Sequence, residues 1–310
     1  PRAHTTPLGQ GRRVVLRNWT DSKMTPFSPF LAALLRGADV VHCHQFFTLP
    51  TFCAAWFGRL QGSKVFVTDL GGGGWTPGYQ IDVSRWIDLH LPLSRYAARS
   101  LPGANQRYRV IGGGVDTKKY AKRSDDGHDG SVVFLGRLLP HKGIHFLIAG
   151  LPAEMTLHLI GPAVDGAYLE HLTQLALGKR VVFHHGLSDE SVVELLQRAM
   201  AIVHPTPVDE HGDAGVNELF GLAVVEGMSC GCPAIVSRAA SLPEIVEDGV
   251  SGFLVPPNSP ESIQNRLVAL ASETERWRKL SEAAARRALE FRWDRIVDRC
   301  LQAYSLPCGS

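Results

Sequence analysis

Short apolar runs rich in β-branched residues alternate along this chain with longer stretches in which apolar residues recur at helical spacing. The first series of runs comprises residues 13–17, VVHCH (40–44), KVFVTD (64–69), LHLPLS (89–94) and YRVIGG (108–113). The second series comprises SVVFLG (131–136), TLHLIG (156–161), RVVFHHG (180–186), AIVHPT (201–206), PAIVS (233–237) and GFLVPP (252–257). Strands that alternate with helices form parallel sheets covered on both faces. The pattern therefore predicts an α/β protein.

A polar interval, AKRSDDGHDG (121–130), separates the two series and is typical of a linker between domains. We therefore predict two Rossmann-like, doubly wound parallel-sheet domains, residues 1–120 and 121–290, that face each other across a cleft. A final helix within residues 291–310 is expected to pack back toward the N-terminal domain. Ligands of such sheets bind beyond the carboxyl ends of the strands, so the chemistry is expected in the loops that follow them.

The composition narrows the kinds of partner. Of the 310 residues, 45% are hydrophobic and 20% are charged, which is typical of a globular protein. A formal net charge of +2 is too small to indicate nucleic-acid binding, but it does not oppose an anionic ligand or peripheral contact with a membrane. No apolar run reaches the roughly 18 residues of a membrane helix. Six cysteines without paired CxxC spacing argue against zinc and fit a reducing cytoplasm. We therefore expect a cytoplasmic location, with peripheral contact at the inner face of a membrane left open.

Two cations occupy the loop after the first strand of the second series. In FLGRLLPHKG (134–143), Arg137 and Lys142 stand between a strand and a helix. Cations at the carboxyl end of a sheet can hold a diphosphate, and the dipole of the following helix adds favourable potential. A pair of solvated surface cations is the alternative, and this motif alone leaves it open.

Two glutamates are separated by seven residues in NELFGLAVVEGMSCGCPAIVS (217–237). If a helix begins near Leu219 or Phe220, Glu218 lies in the loop before it and Glu226 lies about two turns in. Carboxylates repel phosphate, so we expect Glu218 and Glu226 to accept hydrogen bonds from hydroxyls, one set on a hexose and another on a ribose. The helix N-terminus would offer an anion three backbone amides, those of Phe220, Gly221 and Leu222.

Together these segments resemble glycosyltransferase family 4, whose members are retaining, nucleotide-sugar-dependent enzymes of the GT-B fold. The resemblance extends from about Asp39 to Tyr304 and is strongest from Val132 to Pro257. The segments that carry it are DVVHCH (39–44), GGGVDTKKY (112–120), GRLLPHKG (136–143), LHLIGP (157–162), VVFHHGLSDESVVELLQRA (181–199), ELFGLAVVEGMSCGCPAIVS (218–237) and LPEIVEDGVSGFLVPP (242–257). Each segment alone is weak, but their joint order and spacing are specific.

The resemblance implies a role for each matching residue. Arg137 and Lys142 would hold the donor diphosphate. Glu218 would contact hydroxyls of the donor sugar, and Glu226 would bind the ribose of the nucleotide. The other donor-binding positions that it implies are Gly114, Gly161, Thr206, Phe220, Gly221 and Leu222, with the loops at Gly161 and Thr206 flanking the base.

The activity implied by the resemblance is transfer of a hexose-type sugar from a nucleotide diphosphate sugar to a hydroxyl of a glycan, a lipid or a small molecule. Configuration would be retained by front-face substitution, in which the departing phosphate takes the acceptor proton. Members need neither a metal nor a cofactor, because cations and a helix end neutralise the leaving group. The groups that we expect to act in catalysis are Glu218, Arg137, Lys142 and Asp69.

Two features depart from the family pattern. Members begin with a strand and a glycine-rich loop before the DVVHCH region, whereas only 38 residues precede Asp39 here. The comparison with the family therefore implies a truncated N-terminal domain and a compromised set of acceptor and phosphate contacts. In addition, Gly113 stands where an asparagine is common, which removes a side-chain contact but leaves the tight turn accessible to the backbone.

Four glycines follow a strand of the first series, in TDLGGGG (68–74). Pro77 and Gly78 come soon after, so the helix start that a phosphate cradle requires is missing. We interpret the run as a loop on the acceptor and sugar side, where the backbone can approach a sugar closely at Gly71, Gly72 and Gly73. Asp69 is the polar group best placed for a sugar contact that family members make with a histidine.

Several polar and aromatic residues leave two interpretations open. His42 and His44 share one face of a strand and could pair on a metal, but no third ligand has a recognisable spacing, so packing is favoured. Asp82 and Asp88 fit capping or solvated carboxylates better than catalysts. Three aromatic residues fit either stacking on an acceptor or loop packing, namely Trp75, Tyr79 and Trp86.

Other functions stay open as alternatives. A non-catalytic or impaired sugar-nucleotide-binding protein of the GT-B fold fits a truncated N-terminal domain. A nucleotide-sugar epimerase or a phosphorylase would share the fold, but the segment at 218–233 and the lack of a lysine signature for pyridoxal phosphate disfavour both. A nicotinamide-dependent dehydrogenase would need G-x-G-x-x-G between a strand and a helix, which neither 71–74 nor 112–114 completes.

Overall fold

The protein divides into two compact units that are not each continuous in sequence. The computed structural model describes residues 4–8, 11–15, 27–71, 86–99, 101, 107–124, 127–212 and 218–306, with the first two ranges described as backbone only. One unit comprises Pro1–Ile111 with Asp298–Ser310, and the other comprises Gly112–Val297. The division therefore lies ahead of residues 112–120, which the sequence pattern assigns to the first domain.

The first unit is built around a small parallel sheet. Its elements are β1 (His4–Leu8), β2 (Gly11–Val15), α1 (Leu31–Leu35), β3 (Val40–His44), α2 (Leu49–Leu60), β4 (Lys64–Thr68), β5 (Leu89–His90) and α3 (Arg95–Ala98). Strands β3, β4 and β5 form a three-stranded parallel sheet in that order. Helix α2 begins after Thr48, whose side chain accepts a hydrogen bond from the amide of Thr51, and Pro50 occupies its first turn.

Two strand predictions for the first unit are wrong. The run at 13–17 is expected in the parallel series, but β2 pairs antiparallel with β1. Only two residues separate these strands, and a connection that short permits only a hairpin. The runs at 89–94 and 108–113 are expected as full strands, yet β5 has two residues and Tyr108 makes a single bridge to His90. Pro92 has no N–H to donate, so it interrupts the ladder between them.

The second unit contains the larger sheet. Its elements are β6 (Val132–Leu135), α4 (Ile144–Ala149), β7 (Thr156–Ile160), α5 (Gly166–Leu175), β8 (Arg180–His184), α6 (Asp189–Arg198), β9 (Ala201–His204), α7 (Leu222–Ser229), β10 (Ala234–Ser237), α8 (Leu242–Ile245), β11 (Gly252–Val255), α9 (Pro260–Ser272), α10 (Thr274–Ala288) and α11 (Trp293–Tyr304). The six strands run in the order β11-β10-β9-β6-β7-β8, and all their pairings are parallel. This is the doubly wound α/β arrangement that the alternation of strands and helices predicts.

The core of the second unit sits on both faces of its sheet. Every residue of β9 and β10 is buried, as expected for inner strands of a parallel sheet, and every residue of β11 is buried although β11 lies at the edge of the sheet. Large side chains such as Phe134, Leu147 and Leu172 join them in one continuous apolar cluster. The loops at the carboxyl ends of the strands are therefore held by a rigid support.

The last helix, α11, crosses the boundary between the two units, which falls between Val297 and Asp298. In the first unit, Ala303 packs with Phe66 and other buried apolar residues, and the Nζ of Lys64 donates to the carbonyl of Tyr304 at 3.0 Å. Among the described helices, none combines the length and apolarity that crossing a membrane requires.

Candidate functional site

The sheet of the second unit has one switch point, between β6 and β9. From β6 the chain adds β7 and β8 on one side, and it then returns to add β9 on the other. Loops that leave the carboxyl ends of two such strands diverge to opposite faces and open a crevice between them, which is where open α/β sheets bind ligands. The loop after β6 carries Arg137 and Lys142, and the connection after β9 carries Thr206 and Glu218. Strand order therefore directs these residues to one place.

A buried ion pair occupies this switch point. The Nζ of Lys142 lies 2.6 Å from Oε2 of Glu218, and both side chains are about nine-tenths buried, with 12% and 10% of their surface exposed. The backbone carbonyl of Glu218 accepts a hydrogen bond from the hydroxyl of Ser241 at 2.8 Å. The structure thus joins two residues that are 76 positions apart in sequence.

His204 completes the surroundings of Glu218. Its Nε2 lies 3.6 Å from Oε2 of Glu218, and its Nδ1 lies 3.3 Å from the hydroxyl of Thr206. Burial lowers the pKa of His204 to about 4, so the imidazole is neutral at neutral pH. Burial raises the pKa of Glu218, but the charge of Lys142 and its hydrogen bond to Glu218 act in the opposite direction, and the net pKa is lowered. Glu218 is therefore a carboxylate held in place by the ammonium of Lys142.

Arg137 differs from Lys142 in its exposure. Its side chain is exposed, and within the described part of the chain no hydrogen bond or ion pair engages its guanidinium. His141 lies close to both cations: burial lowers the pKa of His141, and the charges of Lys142 and Arg137 lower it further. The loop after β6 thus presents one buried cation fixed by Glu218 and one exposed cation.

Glycines let the backbone of these loops pack closely. Gly143 has φ +68°, and a Cβ built there would lie 1.9 Å from the carbonyl oxygen of Pro205. The loops after β6 and β9 can therefore touch only with glycine at 143. Gly161 has φ +143°, and a Cβ there would lie 2.1 Å from the carbonyl oxygen of Gly136. Gly161, expected beside a nucleotide base, thus also brings together the loops after β6 and β7.

Helix α7 begins later than the sequence predicts. Its first residue is Leu222, whereas we expect a start near Leu219 or Phe220 from the pattern, and Gly221 precedes it with φ +98°. A left-handed residue cannot continue into an α-helix, so it sets the helix start. Glu226 consequently lies about one turn into the helix, roughly 6 Å from its start, and not two. Of the three amides expected at the helix start, only that of Leu222 belongs to the helix, and in the same turn the amide of Val224 donates to the carbonyl of Gly221 at 3.0 Å.

Glu226 contacts the segment that enters the second unit. Its carboxylate accepts a hydrogen bond from the hydroxyl of Tyr120. Burial raises the pKa of Glu226, while this hydrogen bond and the nearby Lys119 act in the opposite direction. The Nζ of Lys119 in turn pairs with Oδ2 of Asp189 at 2.5 Å. A second polar cluster therefore surrounds Glu226, apart from the Lys142–Glu218 pair.

Side chains of the protein already fill the space around Gly113, Gly114 and Thr206. A Cβ at Gly113 would lie 2.5 Å from the ring of Phe220, and one at Gly114 would lie 2.3 Å from the ring of Trp293. An asparagine at 113 would therefore clash with Phe220, which corrects the view that glycine there merely forgoes a contact. Thr206 is fully buried and faces His204, so its side chain offers no surface to a base.

In the first unit, the carboxylate of Asp69 binds two backbone amides, one of them in the loop where we expect Asp69 to contact a sugar. Its Oδ1 accepts hydrogen bonds from the amides of Phe46 at 3.4 Å and Gly71 at 3.3 Å, and burial raises its pKa. The carbonyl of Gly71 accepts a hydrogen bond from the side-chain amide of Gln45. Five candidate residues of this region lie outside the described residues, namely Gly72, Gly73, Trp75, Tyr79 and Asp82.

The remaining candidates have partners within the protein. The two ring nitrogens of His42 lie 2.6 Å from the hydroxyl of Tyr304 and 2.8 Å from that of Thr68. Asp88 accepts the amide of Val65 at 2.8 Å and pairs with Arg59 at 3.0 Å. In the part of the chain that the structure describes, no three histidine, cysteine, aspartate or glutamate residues are grouped to hold a metal ion.

Sequence reasoning missed His204 and Tyr120. His204 ends a wholly buried strand next to the switch point, a position where a polar residue is unusual and thus informative. Tyr120 ends the segment GGGVDTKKY, and its hydroxyl has no signal in the pattern because its partner, Glu226, is 106 residues away. Both contacts depend on how distant loops meet.

Comparison with known sequences places most of the second unit in one family. The sequence profile of the glycosyl transferases group 1 matches residues 115–287, more than half of the chain. The D-inositol 3-phosphate glycosyltransferase of Mycolicibacterium smegmatis is 31% identical over 227 residues, which cover 71% of this chain and 45% of that protein. The GDP-mannose-dependent alpha-(1-6)-phosphatidylinositol monomannoside mannosyltransferase of the same organism is 30% identical over 222 residues, covering 64% and 56%. The chain spans about half the length of the curated relatives it matches.

Comparison with solved structures agrees on the fold. The Anabaena HepE protein in complex with UDP has a TM-score of 0.73 at 22% identity, covering 89% of this chain and 80% of that one. Sucrose-phosphate synthase from Thermosynechococcus elongatus has a TM-score of 0.74 at 21% identity, covering 98% and 85%. These likenesses, with the two parallel sheets, establish the GT-B type of α/β fold. By the match of its profile over residues 115–287, the chain belongs to the glycosyl transferases group 1.

Proposed function

We propose that this protein is a retaining glycosyltransferase that moves a hexose-type sugar from a nucleotide diphosphate sugar to a hydroxyl acceptor. The observation that carries the proposal is the buried pair of Lys142 and Glu218 at the switch point of the second sheet. A buried ion pair is costly to desolvate, so its presence in a ligand crevice favours a role in function over one in stability. Family membership supplies the class of reaction.

The cations of the second unit are proposed to stabilise the leaving diphosphate. Breaking the bond between the anomeric carbon and the phosphate oxygen builds positive charge on the sugar and negative charge on the diphosphate. Lys142 is already fixed, and Arg137 is exposed and able to turn toward an anion. The amides of Phe220, Gly221 and Leu222 are proposed to add donors at the N-terminus of α7, where negative charge is favoured. No metal or cofactor is needed in this proposal, because these groups neutralise the leaving group.

Glu218 is proposed to bind the transferred sugar and not to attack it. Its Oε2 is engaged by Lys142, and a carboxylate with a lowered pKa accepts hydrogen bonds well. With Glu218 so engaged, retention fits a front-face path. The acceptor oxygen bonds to the anomeric carbon from the side on which the carbon–oxygen bond to phosphate breaks. The departing phosphate oxygen takes the acceptor proton.

Glu226 is proposed to accept hydrogen bonds from the ribose hydroxyls, and the loop at Gly161 is proposed to flank the base. Asp69 and Gly71 are proposed to serve the sugar or acceptor side, although the carboxylate of Asp69 already accepts two backbone amides. The names of the compared proteins guide the choice of nucleotide. One relative depends on GDP-mannose, and HepE is seen with UDP. Both GDP and UDP are therefore the first ligands to test.

Binding of nucleoside diphosphates tests the donor site directly. Calorimetry with UDP, GDP and ADP should show binding of at least one nucleotide to the wild-type chain. Arg137→Ala removes an exposed cation without leaving a buried partner, so we expect about a tenfold to hundredfold loss of affinity for that nucleotide, the size of a charge-assisted hydrogen bond.

The matched control is Arg278→Ala, which removes an exposed arginine on α10. Its affinity should equal that of the wild type. If none of the three nucleotides binds, or if Arg137→Ala and Arg278→Ala bind equally well, the proposed donor site is wrong.

A further inference from the structure

Residues 112–122 form a strap along helix α7, the helix that carries Glu226. At one end of the strap, a Cβ on Gly113 would lie 2.5 Å from Phe220 and 3.0 Å from Leu222, at the start of α7. At the other end, a Cβ on Gly231 would lie 2.7 Å from Cγ of Lys122, just past the end of α7. The strap therefore runs in the same direction as the helix, with Tyr120 reaching it between these points.

Backbone contacts fix the middle of the strap. The amide of Val115 donates to the carbonyl of Phe291 at 2.8 Å. Oδ1 of Asp116 accepts the amides of Lys118 at 3.0 Å and Lys119 at 3.1 Å, and the amide of Tyr120 donates to the carbonyl of Asp116 at 2.9 Å. These bonds close a turn over residues 116–120, so the direction of the Tyr120 side chain is set by the backbone.

The hydroxyl of Tyr120 lies beside the carboxylate of Glu226, within hydrogen-bonding reach of it. Its ring is half-buried, and the Nζ of Lys119 lies over the ring, 5.2 Å from the centroid. Burial and the charge of Glu226 raise the pKa of Tyr120 to about 12, so the phenol keeps its proton and stays a donor at neutral pH. Lys119 is itself held by Asp189 at 2.5 Å.

We propose that Tyr120 is a positioning residue for ribose recognition, which holds the Glu226 carboxylate in the orientation that accepts hydrogen bonds from the ribose hydroxyls. The inference rests on the proposed function, since it assumes that a nucleotide occupies the crevice. A carboxylate offers about four lone-pair directions. One is used by the phenol hydroxyl, and the others stay directed at the ligand. Without the phenol hydroxyl, Glu226 would lose rotational freedom on binding and would bind the ribose more weakly.

The test uses Tyr120→Phe in the full chain, with whichever of UDP, GDP and ADP binds the wild type most tightly. We expect about a fivefold to tenfold loss of affinity, the size of one hydrogen bond. The loss should depend on the ribose hydroxyls, so the 2′,3′-dideoxy form of the same nucleotide should bind both proteins within about twofold. Added to Glu226→Ala, Tyr120→Phe should likewise change affinity by less than about twofold, because its partner is already absent.

The matched control is Tyr168→Phe, which removes a phenol hydroxyl bonded to His145 elsewhere in the same unit and should leave nucleotide affinity unchanged. A loss that is equal for the ribose and dideoxy forms, a loss that persists on Glu226→Ala, or no loss at all would overturn the role of Tyr120. In each of those cases, nucleotide binding by the wild type would still support the proposed function. Failure of the wild type to bind any nucleotide would instead overturn the proposed function and this inference with it.

Discussion

At the scale of single residues, the candidate site keeps a charged and a neutral group side by side. Glu218 is ionised against Lys142, and His204, 3.6 Å away, is neutral because it is fully buried. A neutral imidazole can hydrogen-bond to Thr206 without adding a further cation to the crevice. Protonation of His204 would add that cation, so the stability of this arrangement depends on pH.

Replacing His204 with asparagine should flatten the dependence of stability on pH. The pKa of His204 falls from 6.5 in the unfolded chain to about 4 in the folded one, so the unfolded state binds the proton more readily. Its full contribution to stability is present above pH 6.5 and is lost as the pH falls toward 4. Over that range the wild type should lose about 3 kcal/mol more than His204→Asn, at 1.36 kcal/mol per pKa unit.

Chemical unfolding at a series of pH values measures this difference. His211→Asn is the matched control, because the side chain of His211 is 81% exposed. Its stability should follow that of the wild type at each pH. Wild type and His204→Asn falling in parallel between pH 6.5 and 4 would contradict a buried neutral His204.

At the scale of elements, two glycines determine how the loops of the sheet meet the helices that follow. Gly143 lies between the short 3-10 turn at Pro140–Lys142 and α4, and Gly221 directly precedes α7. Both have positive φ, and the backbone at Gly143 touches Pro205 in the neighbouring loop. Lys142 directly precedes Gly143, and Glu218 lies three residues before Gly221. The geometry of the ion pair therefore depends on backbone positions that only glycine fills easily.

Gly143→Ala should destabilise the second unit by about 2 to 4 kcal/mol, since it adds a steric clash to the strain of a left-handed alanine. Gly178→Ala is the matched control. Gly178 has φ +76°, but no other group lies within 4 Å of the place that a Cβ would take, so only the strain of about 1 kcal/mol applies. Urea unfolding compares the two variants. Equal losses would show that the contact with Pro205 does not constrain the loop.

Much of the fold at this scale could be predicted from the sequence, because buried parallel strands have a strong apolar pattern. All six strands of the second sheet were predicted, and the loops with Arg137, Lys142 and Glu218 followed from them. The wrong element predictions arise from local features that the apolar pattern does not reveal. The hairpin of β1 and β2 depends on a two-residue connection, the short β5 on Pro92, and the start of α7 on the left-handed Gly221.

The candidate site was harder to predict than the fold, because its contacts join loops far apart in sequence. The sequence indicated Lys142 and Glu218 separately, but their 2.6 Å pairing required the strand order. Thr206 is available to a ligand by its place in the pattern, yet it is buried beneath His204. Tyr120 had no signal, since its hydroxyl acts on Glu226 through a strap from outside the sheet.

At the scale of the whole molecule, the two units differ in how much of the proposed function they carry. The family profile lies within the second unit, as do both glutamates and both cations of the donor site. The first unit is proposed to contribute Asp69 and Gly71, and the end of α11 packs into it. The nucleotide site is therefore proposed to belong to the second unit, and the choice of acceptor is assigned to the first.

The most direct test of the central claim is turnover of a sugar donor by the full chain. Phosphorus NMR would follow release of nucleoside diphosphate from UDP-glucose and GDP-mannose, with D-inositol 3-phosphate offered as a hydroxyl acceptor. We expect the wild type to release nucleoside diphosphate from at least one donor. The double variant Lys142→Ala/Glu218→Ala, which leaves neither charge buried alone, should release it at least about a hundredfold more slowly, the loss of several kcal/mol of transition-state stabilisation. Equal release by both proteins, or nucleotide binding by the wild type without any release, would contradict the account.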